Sequence, residues 1–322
     1  MPALLALVSD DLLEQALYRS PFLIPAAISP GGAVSVNALW ESSGGGEWFI
    51  EMQRFGAELV QAGVVCGRKD WIERGLQIVG WGFARQGPDG DFPGGGDPYH
   101  STELFVEGAA RCVLLLQQGN VVDFLPRIEL SGCVQKIHAA ALWLVRPDVA
   151  GPGRRNNAPF VHRCWIMAAA LAMAAAVSGD ESLSRVARER AEEGLAQQSE
   201  DGVNPERGGF DVNYQSAGLL FAARYHAVCP DAALRDRIGR MIRRGLDWLS
   251  ARVDESGEVA TAGSTRVGKE ALRSGGIKKV NEWELVQTFC YGAAITGDVS
   301  FRDAARLLVN NVGGAATPDQ LL

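Results

Sequence analysis

Three well-separated segments of the chain carry the same turn signature. They are Gln86–Phe92, Gln198–Val203 and Asp254–Val259, and each has an Asp or Ser directly before a Gly. Each follows a stretch with amphipathic helical periodicity and precedes a polar loop that leads into an apolar helical stretch. A helix, a turn, a loop and a new helix, repeated in this way, are typical of helical hairpins in a ring. Such a ring places its long loops on one rim.

Helical periodicity dominates the whole chain, and no alternating strand pattern is present. The pattern predicts an N-terminal helix over residues 3–19, followed by a series of helical hairpins. The predicted hairpins pair residues 47–63 with 69–85, 102–118 with 127–146, 159–178 with 181–199, 214–228 with 231–252, and 282–296 with 299–312. We therefore expect one all-α domain over residues 1–322, an (α/α) toroid of about five to six hairpins.

Link lengths alternate along this series. Gly179-Asp180 and Gly297-Asp298 are tight turns, whereas the links in the other direction run to about 12 to 30 residues, which is long for plain connections. The helices after the long links are rich in Ala, Leu, Phe and Gly, and we expect them to form an inner ring. Helices with Arg and Glu stripes, such as 183–196 and 234–249, are expected outside. An open helical solenoid is the alternative.

Composition excludes several classes of function. The 322-residue chain has a net charge of −7, which does not favour nucleic acid. It has no run of about 20 apolar residues, so no membrane span is expected. The N-terminus lacks a basic region and a cleavage site, which predicts a cytoplasmic protein, or a periplasmic or secreted one if a signal peptide has been removed. None of the six cysteines lies in a Cys-x-x-Cys pair, which indicates free thiols and no structural zinc.

The predicted rim is basic on an otherwise acidic protein. Residues 266–282 contain five Lys or Arg against two Glu, and Arg154-Arg155 adds two more positive charges. Parallel inner helices would also direct their N-terminal N–H groups at this rim, which suits an anion. We expect ligand contacts from Arg266, Arg273 and Lys278, although a solvated basic loop would show the same composition.

Two local patterns supply candidate catalytic groups. Asn156 and Asn157 stand just outside a predicted helix start, with His162 one turn inside it. The amides can bind a carboxylate or a hydroxyl, or they can simply cap the helix. Tyr214 stands where a loop becomes an inner helix, near Arg207 and Gln215. A tyrosine near cations can have a lowered pKa and act as an acid or a base, or it can simply pack in the core.

Further ligand contacts are expected around these groups. The glycine-rich loop before the second inner helix carries Tyr99 and His100, and Trp40 is placed to stack on a sugar ring. No cluster of metal-ligating residues is apparent in the sequence, so we expect neither a metal nor a cofactor.

These patterns resemble segments of the α/α-toroid polysaccharide lyases. Asn156-Asn157 near His162 is similar to the Asn-Asn/His segment of alginate lyases. Asp201-Gly202, followed by Tyr214 and Gly218, is similar to a segment of chondroitin and hyaluronate lyases. There are departures. The histidine comes five residues after the asparagine pair instead of directly after it, Glu206-Arg207 stands where a histidine is found, and no β-sandwich segment follows the helices.

The resemblance implies β-elimination at a uronic acid in an acidic polysaccharide or oligosaccharide. Asn157, with Asn156 or Arg207, would neutralise the carboxylate and stabilise the charge that develops. Tyr214 and His162 would serve as acid and base, with Gln215 among the substrate contacts. The resemblance implies no metal requirement.

Three other functions fit the same sequence. A glycoside hydrolase would need two carboxylates about 5 to 10 Å apart, such as Glu206 or Asp211 opposite Asp89, Glu41 or Glu282. A terpenoid-cyclase-like protein is suggested by the Gln86–Phe92 segment, but the chain lacks an Asp-rich acid motif. A non-catalytic helical interaction protein would carry no cleft.

Overall fold

The chain is helical throughout the part that the structure describes. The computed structural model describes residues 4–18, 28–29, 31–34, 48–119, 121, 130–271 and 276–312, and within these ranges it contains isolated bridges but no β-strand. The predicted all-α class is therefore confirmed.

The helices follow the predicted hairpin order. The N-terminal segment comprises α1 (Leu4–Val8), α2 (Asp11–Leu13) and a π-helical turn (Glu14–Tyr18). A 3₁₀ turn (Ile50–Arg54) leads into α3 (Phe55–Cys66). The remaining helices are α4 (Lys69–Phe83), α5 (Pro98–Gln118), α6 (Leu130–Val145), α7 (Pro147–Asn157), α8 (Val161–Ser178), α9 (Glu181–Gln197), α10 (Val212–Val228), α11 (Ala232–Ser250), α12 (Glu282–Thr296) and α13 (Val299–Val312).

Three elements differ from the prediction. The N-terminal helix is broken because the Asp10 side chain accepts N–H groups of Leu12 and Leu13 and starts a new helix there. α5 begins at Pro98, with Asp97 as its N-cap, so the first turn lies upstream of the predicted start. α7 was not predicted at all, because residues 151–153 are Gly-Pro-Gly and indicate a loop.

The helices expected to be inner are the more buried ones. α5, α8 and α10 are buried on nearly all faces, whereas α9 buries a single stripe at Leu183, Ala187 and Ala191. The inner helices α3, α5, α8, α10 and α12 pack against one another in chain order. α8 is the one described helix long and apolar enough to cross a membrane, and it is mostly buried inside the fold, as a core helix would be.

The three turn signatures dock onto outer helices in the same way. Their glycines, Gly90, Gly202 and Gly257, have φ between 83° and 92°. A Cβ added at each would lie 2.3 to 2.4 Å from a backbone oxygen of the outer helix it faces, in α6, α11 and α13 respectively. Only a glycine permits this φ together with so close an approach. The signature therefore fixes each hairpin on a neighbouring outer helix.

Side-chain amides add hydrogen bonds at two of these turns. Gln86 Nε2 donates to the backbone oxygens of Gly90 (3.3 Å) and Lys136 (2.8 Å). Gln198 Nε2 donates to those of Gly202 and Met241, both at 3.0 Å. Each glutamine thus joins its own turn to the helix that the turn faces, which explains why both segments begin with this residue.

The N-terminal helix lies at the opposite end from the inner-helix starts. α1 packs against α3, α5, α10 and α12, and Leu4, Leu7 and Val8 are buried there. The backbone N–H of Leu5 donates to Gln118 Oε1 (2.9 Å), at the last residue of α5. α1 therefore lies at the C-terminal end of α5, where it also packs against α3, α10 and α12.

The glycines of these turns allow a direct test of this packing. We expect Gly202→Ala to lower the free energy of unfolding by about 3 kcal/mol, because it adds both a left-handed strain and a clash with a helix backbone. The matched control is Gly67→Ala, since Gly67 has φ 66° but nothing within 4 Å of an added Cβ. That substitution should cost only about 1 kcal/mol. Equal losses in urea titrations of the two variants would contradict the docking.

Candidate functional site

The inner helices begin at one end of the molecule. The imidazole of His162, in the first turn of α8, and the ring of Tyr214, in the first turn of α10, have centroids 4.6 Å apart. Asn213 Nδ2 donates to the backbone oxygen of Lys279 (2.7 Å), and its Oδ1 accepts from the N–H of Asn281, the N-cap of α12 (2.9 Å). Neighbouring inner helices therefore run parallel, and their starts adjoin.

His162 and Glu206 form a buried pair at this end. His162 Nδ1 lies 2.9 Å from Glu206 Oε2, and the side chains are only 3% and 1% exposed. Glu206 Oε1 in turn accepts from Arg266 Nη1 at 2.9 Å. Because the carboxylate is held by a guanidinium on one side, it accepts the Nδ1 proton on the other. Nε2 of His162 is then the ring nitrogen left with a lone pair.

Burial sets the charge of His162. It lowers the pKa of the imidazole below its ordinary value, and the hydrogen bond and charge of Glu206 offset part of this shift. A neutral imidazole held by a carboxylate can accept a proton, and the carboxylate then stabilises the imidazolium that forms.

Tyr214 carries its own polar partners. Lys278 Nζ donates to the phenol oxygen at 2.6 Å, and the Arg266 guanidinium carbon lies 3.8 Å from the ring centroid. Even so, burial raises the pKa of Tyr214 above its usual value, with Arg266 opposing only part of the shift. The prediction that cations would lower this pKa was wrong, because desolvation of the phenolate outweighs them. Tyr214 therefore holds its proton at neutral pH.

Glu270 organises the cations around Tyr214. Its Oε2 accepts from Arg266 Nε and Lys278 Nζ, both at 2.6 Å, and its Oε1 lies 3.4 Å from Arg207 Nη2. Burial alone would raise the pKa of Glu270, but the hydrogen bonds from Arg266 and Lys278 lower it to about 2. This carboxylate was among the rim residues in the sequence, but no role was predicted for it.

Asp211 fixes the loop that carries Arg266. Its Oδ1 accepts from the N–H groups of Asn213 and Tyr214 and so caps α10. Its Oδ2 accepts from the N–H groups of Arg266 and Val267, both at 2.8 Å. With both oxygens occupied by backbone donors, Asp211 builds the site and does not face a ligand.

A tight turn brings Arg207 to the start of α8. The backbone N–H of Arg207 donates to the Pro159 oxygen (2.9 Å), and Arg207 is the one non-glycine residue with positive φ (51°) in the described part of the chain. Its guanidinium stands 5.3 Å from the ring of Phe160. The guanidinium of Arg163 lies 4.4 Å from the same ring, and that of Arg266 lies 5.7 Å away. Phe160 is thus the centre of a cluster of cations, a role that its sequence context did not indicate.

Asn157 belongs to an adjoining group. Its Oδ1 accepts from Arg163 Nη1 at 2.6 Å, and its side chain is near enough to Glu103 to favour the charged form of that carboxyl. Glu103 is fully buried on α5, and burial raises the pKa of its carboxyl, with Arg163 opposing part of the rise. His100 Nδ1 lies 2.6 Å from Glu103 Oε1. Asn157 is therefore linked to the residues around His162 through Arg163. Arg163 directly follows His162 on α8.

The remaining predicted contacts are placed differently. Tyr99 is buried under α7, where Gly153 lies against its ring, and burial raises the pKa of its phenol to about 12. Asn156 is exposed on the last turn of α7. Trp40 and Arg273 lie outside the described residues.

Gln215 does not face the site. It is fully buried, its Oε1 accepts from the N–H of Asn204 (2.8 Å), and its Nε2 donates to the Gly202 oxygen (2.9 Å). The amide therefore holds the second turn signature in place, and we leave Gln215 out of the proposed ligand contacts.

Sequence reasoning missed a second polar cluster among the inner helices. Arg111 on α5 is fully buried, and it donates to Glu107 (2.9 Å) and to Glu58 and Gln61 of α3, both at 2.8 Å. Arg224 on α10 donates to Glu58 as well, at 3.1 Å. The sequence did indicate this cluster. Charged residues occur at positions 103, 107 and 111, and this spacing of four places them on one face of an otherwise apolar helix.

No known protein family, no curated protein and no solved structure matches this chain. The function of the site therefore has to follow from its own geometry.

The His162 environment predicts a specific protonation state. We expect ¹⁵N NMR of the imidazoles to show His162 as the Nδ1–H tautomer, titrating below the ordinary histidine pKa of about 6.5. Since its pKa is lower in the folded than in the unfolded chain, its contribution to stability is complete above about pH 6.5 and is lost as the pH falls. His226 is an internal control, because burial also lowers its pKa and no carboxylate in the described ranges is hydrogen-bonded to it. An Nε2–H tautomer at His162 would contradict the Glu206 pairing.

Proposed function

We propose that the helical pairs close into the (α/α) ring expected from the sequence. Contacts between the first and last inner helices support closure, since Gln61 Nε2 on α3 donates to the Tyr291 hydroxyl on α12 at 3.0 Å. The same amide donates to the Tyr18 hydroxyl at 2.7 Å. α2 also packs against α12, and the π-helical turn packs against α3. In this arrangement the N-terminal segment occupies the place of a sixth hairpin.

We propose that the protein is a lyase that cleaves a uronic-acid-containing polysaccharide or oligosaccharide by β-elimination. One observation carries the proposal. A neutral imidazole, hydrogen-bonded to a buried carboxylate, lies beside a protonated phenol that accepts a hydrogen bond from an ammonium group. The centroids of the two rings are 4.6 Å apart. β-Elimination needs one group that removes a proton and a second, nearby group that supplies one.

The protonation states assign the two roles. His162 removes the proton at C5 of the uronate through Nε2, and Glu206 stabilises the resulting imidazolium. Tyr214 gives its phenolic proton to O4 of the leaving sugar, and Lys278 and Arg266 stabilise the phenolate. The C5–H and C4–O4 bonds break, a C4–C5 double bond forms, and the leaving sugar carries away the proton from Tyr214. Proton exchange with water then returns both residues to their starting states.

The cations around Phe160 would neutralise the carboxylate of the substrate, which is the difficult part of this chemistry. The C5 proton is only weakly acidic, so the adjacent carboxylate must be neutralised as charge develops on it. Arg163 and Arg207 flank the start of α8, and Asn157 is hydrogen-bonded to Arg163. Fixed positive groups in a site shielded from water favour the charged intermediate because they need no reorganisation during the reaction.

A glycoside hydrolase is the second candidate. Two of the carboxylates considered for it from the sequence are engaged elsewhere, since Glu206 binds His162 and Arg266, while Asp89 pairs with Arg146 at 3.7 Å. Glu41 lies outside the described residues. The ring interior nevertheless holds two carboxyls with divergent acidities. Burial would raise the pKa of Glu58, but Arg111 and Arg224 lower it to about 2, whereas burial raises that of Glu284 to about 7. Such divergence is typical of an acid and base pair.

The other two alternatives fit the site less well. A terpenoid cyclase must stabilise a carbocation, and the cluster of Arg163, Arg207, Arg266 and Lys278 would repel one. A non-catalytic interaction protein has no need for a base and an acid placed side by side in a buried setting.

Absorbance assays test the proposal. With a panel of uronic-acid polymers, we expect the wild-type protein to generate the ultraviolet absorbance of a C4–C5 double bond. Tyr214→Phe should reduce the rate by about 10²- to 10⁴-fold, because it removes the proton donor and little else. The matched control is Tyr225→Phe, since Tyr225 is a buried tyrosine further along the same helix and should leave the rate unchanged.

Two results would count against the lyase. New reducing ends without ultraviolet absorbance would identify a hydrolase. An unchanged rate in Tyr214→Phe, on a polymer that the wild type cleaves, would remove Tyr214 from the mechanism.

A further inference from the structure

Two carboxyl groups among the buried helices are partly exposed. The side chain of Glu58 is 16% exposed, although Arg111 and Arg224, which bind it, are 0% and 3% exposed. Glu284, in the first turn of α12, is only partly buried as well. Partial exposure of these carboxyls among buried partners indicates a hollow that extends between α3, α10 and α12.

A donor and an acceptor beside this hollow have no partner among the described residues. Within those ranges neither Glu58 Oε2 nor Arg224 Nε has a hydrogen bond, although both atoms are buried. The two side chains are joined through Arg224 Nη2 and Glu58 Oε1 at 3.1 Å, so the two unused atoms lie on adjoining groups. An unpaired buried polar group is costly, and a ligand that satisfies both atoms would recover this free energy.

Glu284 adds a second acceptor beside this pair. Among the described residues its carboxyl makes no hydrogen bond or ion pair, whereas its backbone N–H is capped by Asn281. Arg54 and Arg224 are close enough to lower the pKa of Glu284, although burial prevails and raises it to about 7. The hollow thus contains two guanidinium and two carboxyl groups, a combination suited to hydroxyl groups, which both donate and accept.

The hollow is closed at its far end. The layer beneath Glu58 is formed by Arg111, Glu107 and Gln61, all of which are fully buried and bound to one another by Arg111. α1 lies at the C-terminal end of α5 and packs against α3, α10 and α12 as well. This buried layer leaves no passage for a polymer between α3 and α5 at the level of Arg111.

We propose that Glu58, Arg224, Glu284 and Arg54 form a subsite that binds the hydroxyl groups of the terminal sugar of the substrate. The protein would then release small products from a chain end and would not cut within long chains. This proposal deepens the proposed function and rests on it. The role of these four residues is to bind and orient substrate, and the chemistry stays with His162 and Tyr214.

Product sizes test the mode of action. Early in the digestion of a polymer that the wild type cleaves, chromatography should show one small unsaturated product together with nearly intact polymer. A ladder of intermediate oligosaccharides at the first time points would overturn the proposal, because it requires cleavage within the chain.

Kinetics of variants test the subsite itself. We expect Glu284→Gln and Arg54→Gln each to raise KM about tenfold with kcat changed less than about threefold, because they weaken binding and not the chemical step. The matched control is Glu181→Gln, since Glu181 is an exposed glutamate in the first turn of α9. A loss confined to kcat in Glu284→Gln would overturn the proposal and make Glu284 a catalytic group.

Calorimetry separates this proposal from the lyase assignment. If no uronic-acid polymer is cleaved, the proposed function fails, and binding of free hexuronic acid and neutral hexose monosaccharides to the wild type still tests the subsite. Binding that weakens about tenfold in Arg54→Gln and is retained in Glu181→Gln would support it. No binding of any of these sugars to the folded wild type would overturn it.

Discussion

Two buried carboxylates connect the loops on which the site depends. Glu206 binds His162 through one oxygen and Arg266 through the other. Asp211 caps α10 with one oxygen and binds the backbone N–H groups of Arg266 and Val267 with the other. Buried charges are tolerated only where partners compensate them, so each carboxylate specifies one arrangement of the loops. The start of α8, the loop before α10 and the loop before α12 are therefore positioned together.

This arrangement also sets the acidities of His162 and Tyr214. The same exclusion of water that lowers the pKa of His162 raises that of Tyr214, since each is pushed toward its neutral form. Each group is also paired with a residue of opposite charge to the other's partner. A carboxylate binds the imidazole, and an ammonium group donates a hydrogen bond to the phenol. A neutral imidazole and a neutral phenol at the same pH follow from burial and pairing together.

The helical framework was predictable because its signals are local. Gly90, Gly202 and Gly257 mark turns that only glycine can form, and apolar periodicity separates the inner helices from the outer ones. α7 was missed because Gly151-Pro152-Gly153 is typical of a loop, whereas packing of Gly153 against Tyr99 holds it in a helix. Local propensity is here outweighed by a tertiary contact.

The candidate site was predictable only in part. Residue types and helix starts identified His162, Arg207 and Tyr214, which the structure brings together around Phe160 and Glu270. The direction of the Tyr214 pKa shift was not accessible, because burial depends on all the surrounding elements. The partners of Gln215 and Glu58 lie on other segments of the chain, and periodicity in one segment carries no information about them.

Solvent exchange at the substrate tests most directly the central claim that His162 is the base and Tyr214 the acid. In D₂O, Tyr214→Phe should incorporate deuterium at C5 of the uronate without cleaving it, because the base remains while the proton donor is gone. His162→Gln should neither exchange nor cleave. Exchange in His162→Gln together with none in Tyr214→Phe, measured by mass spectrometry of recovered substrate, would contradict this assignment and make Tyr214 the base.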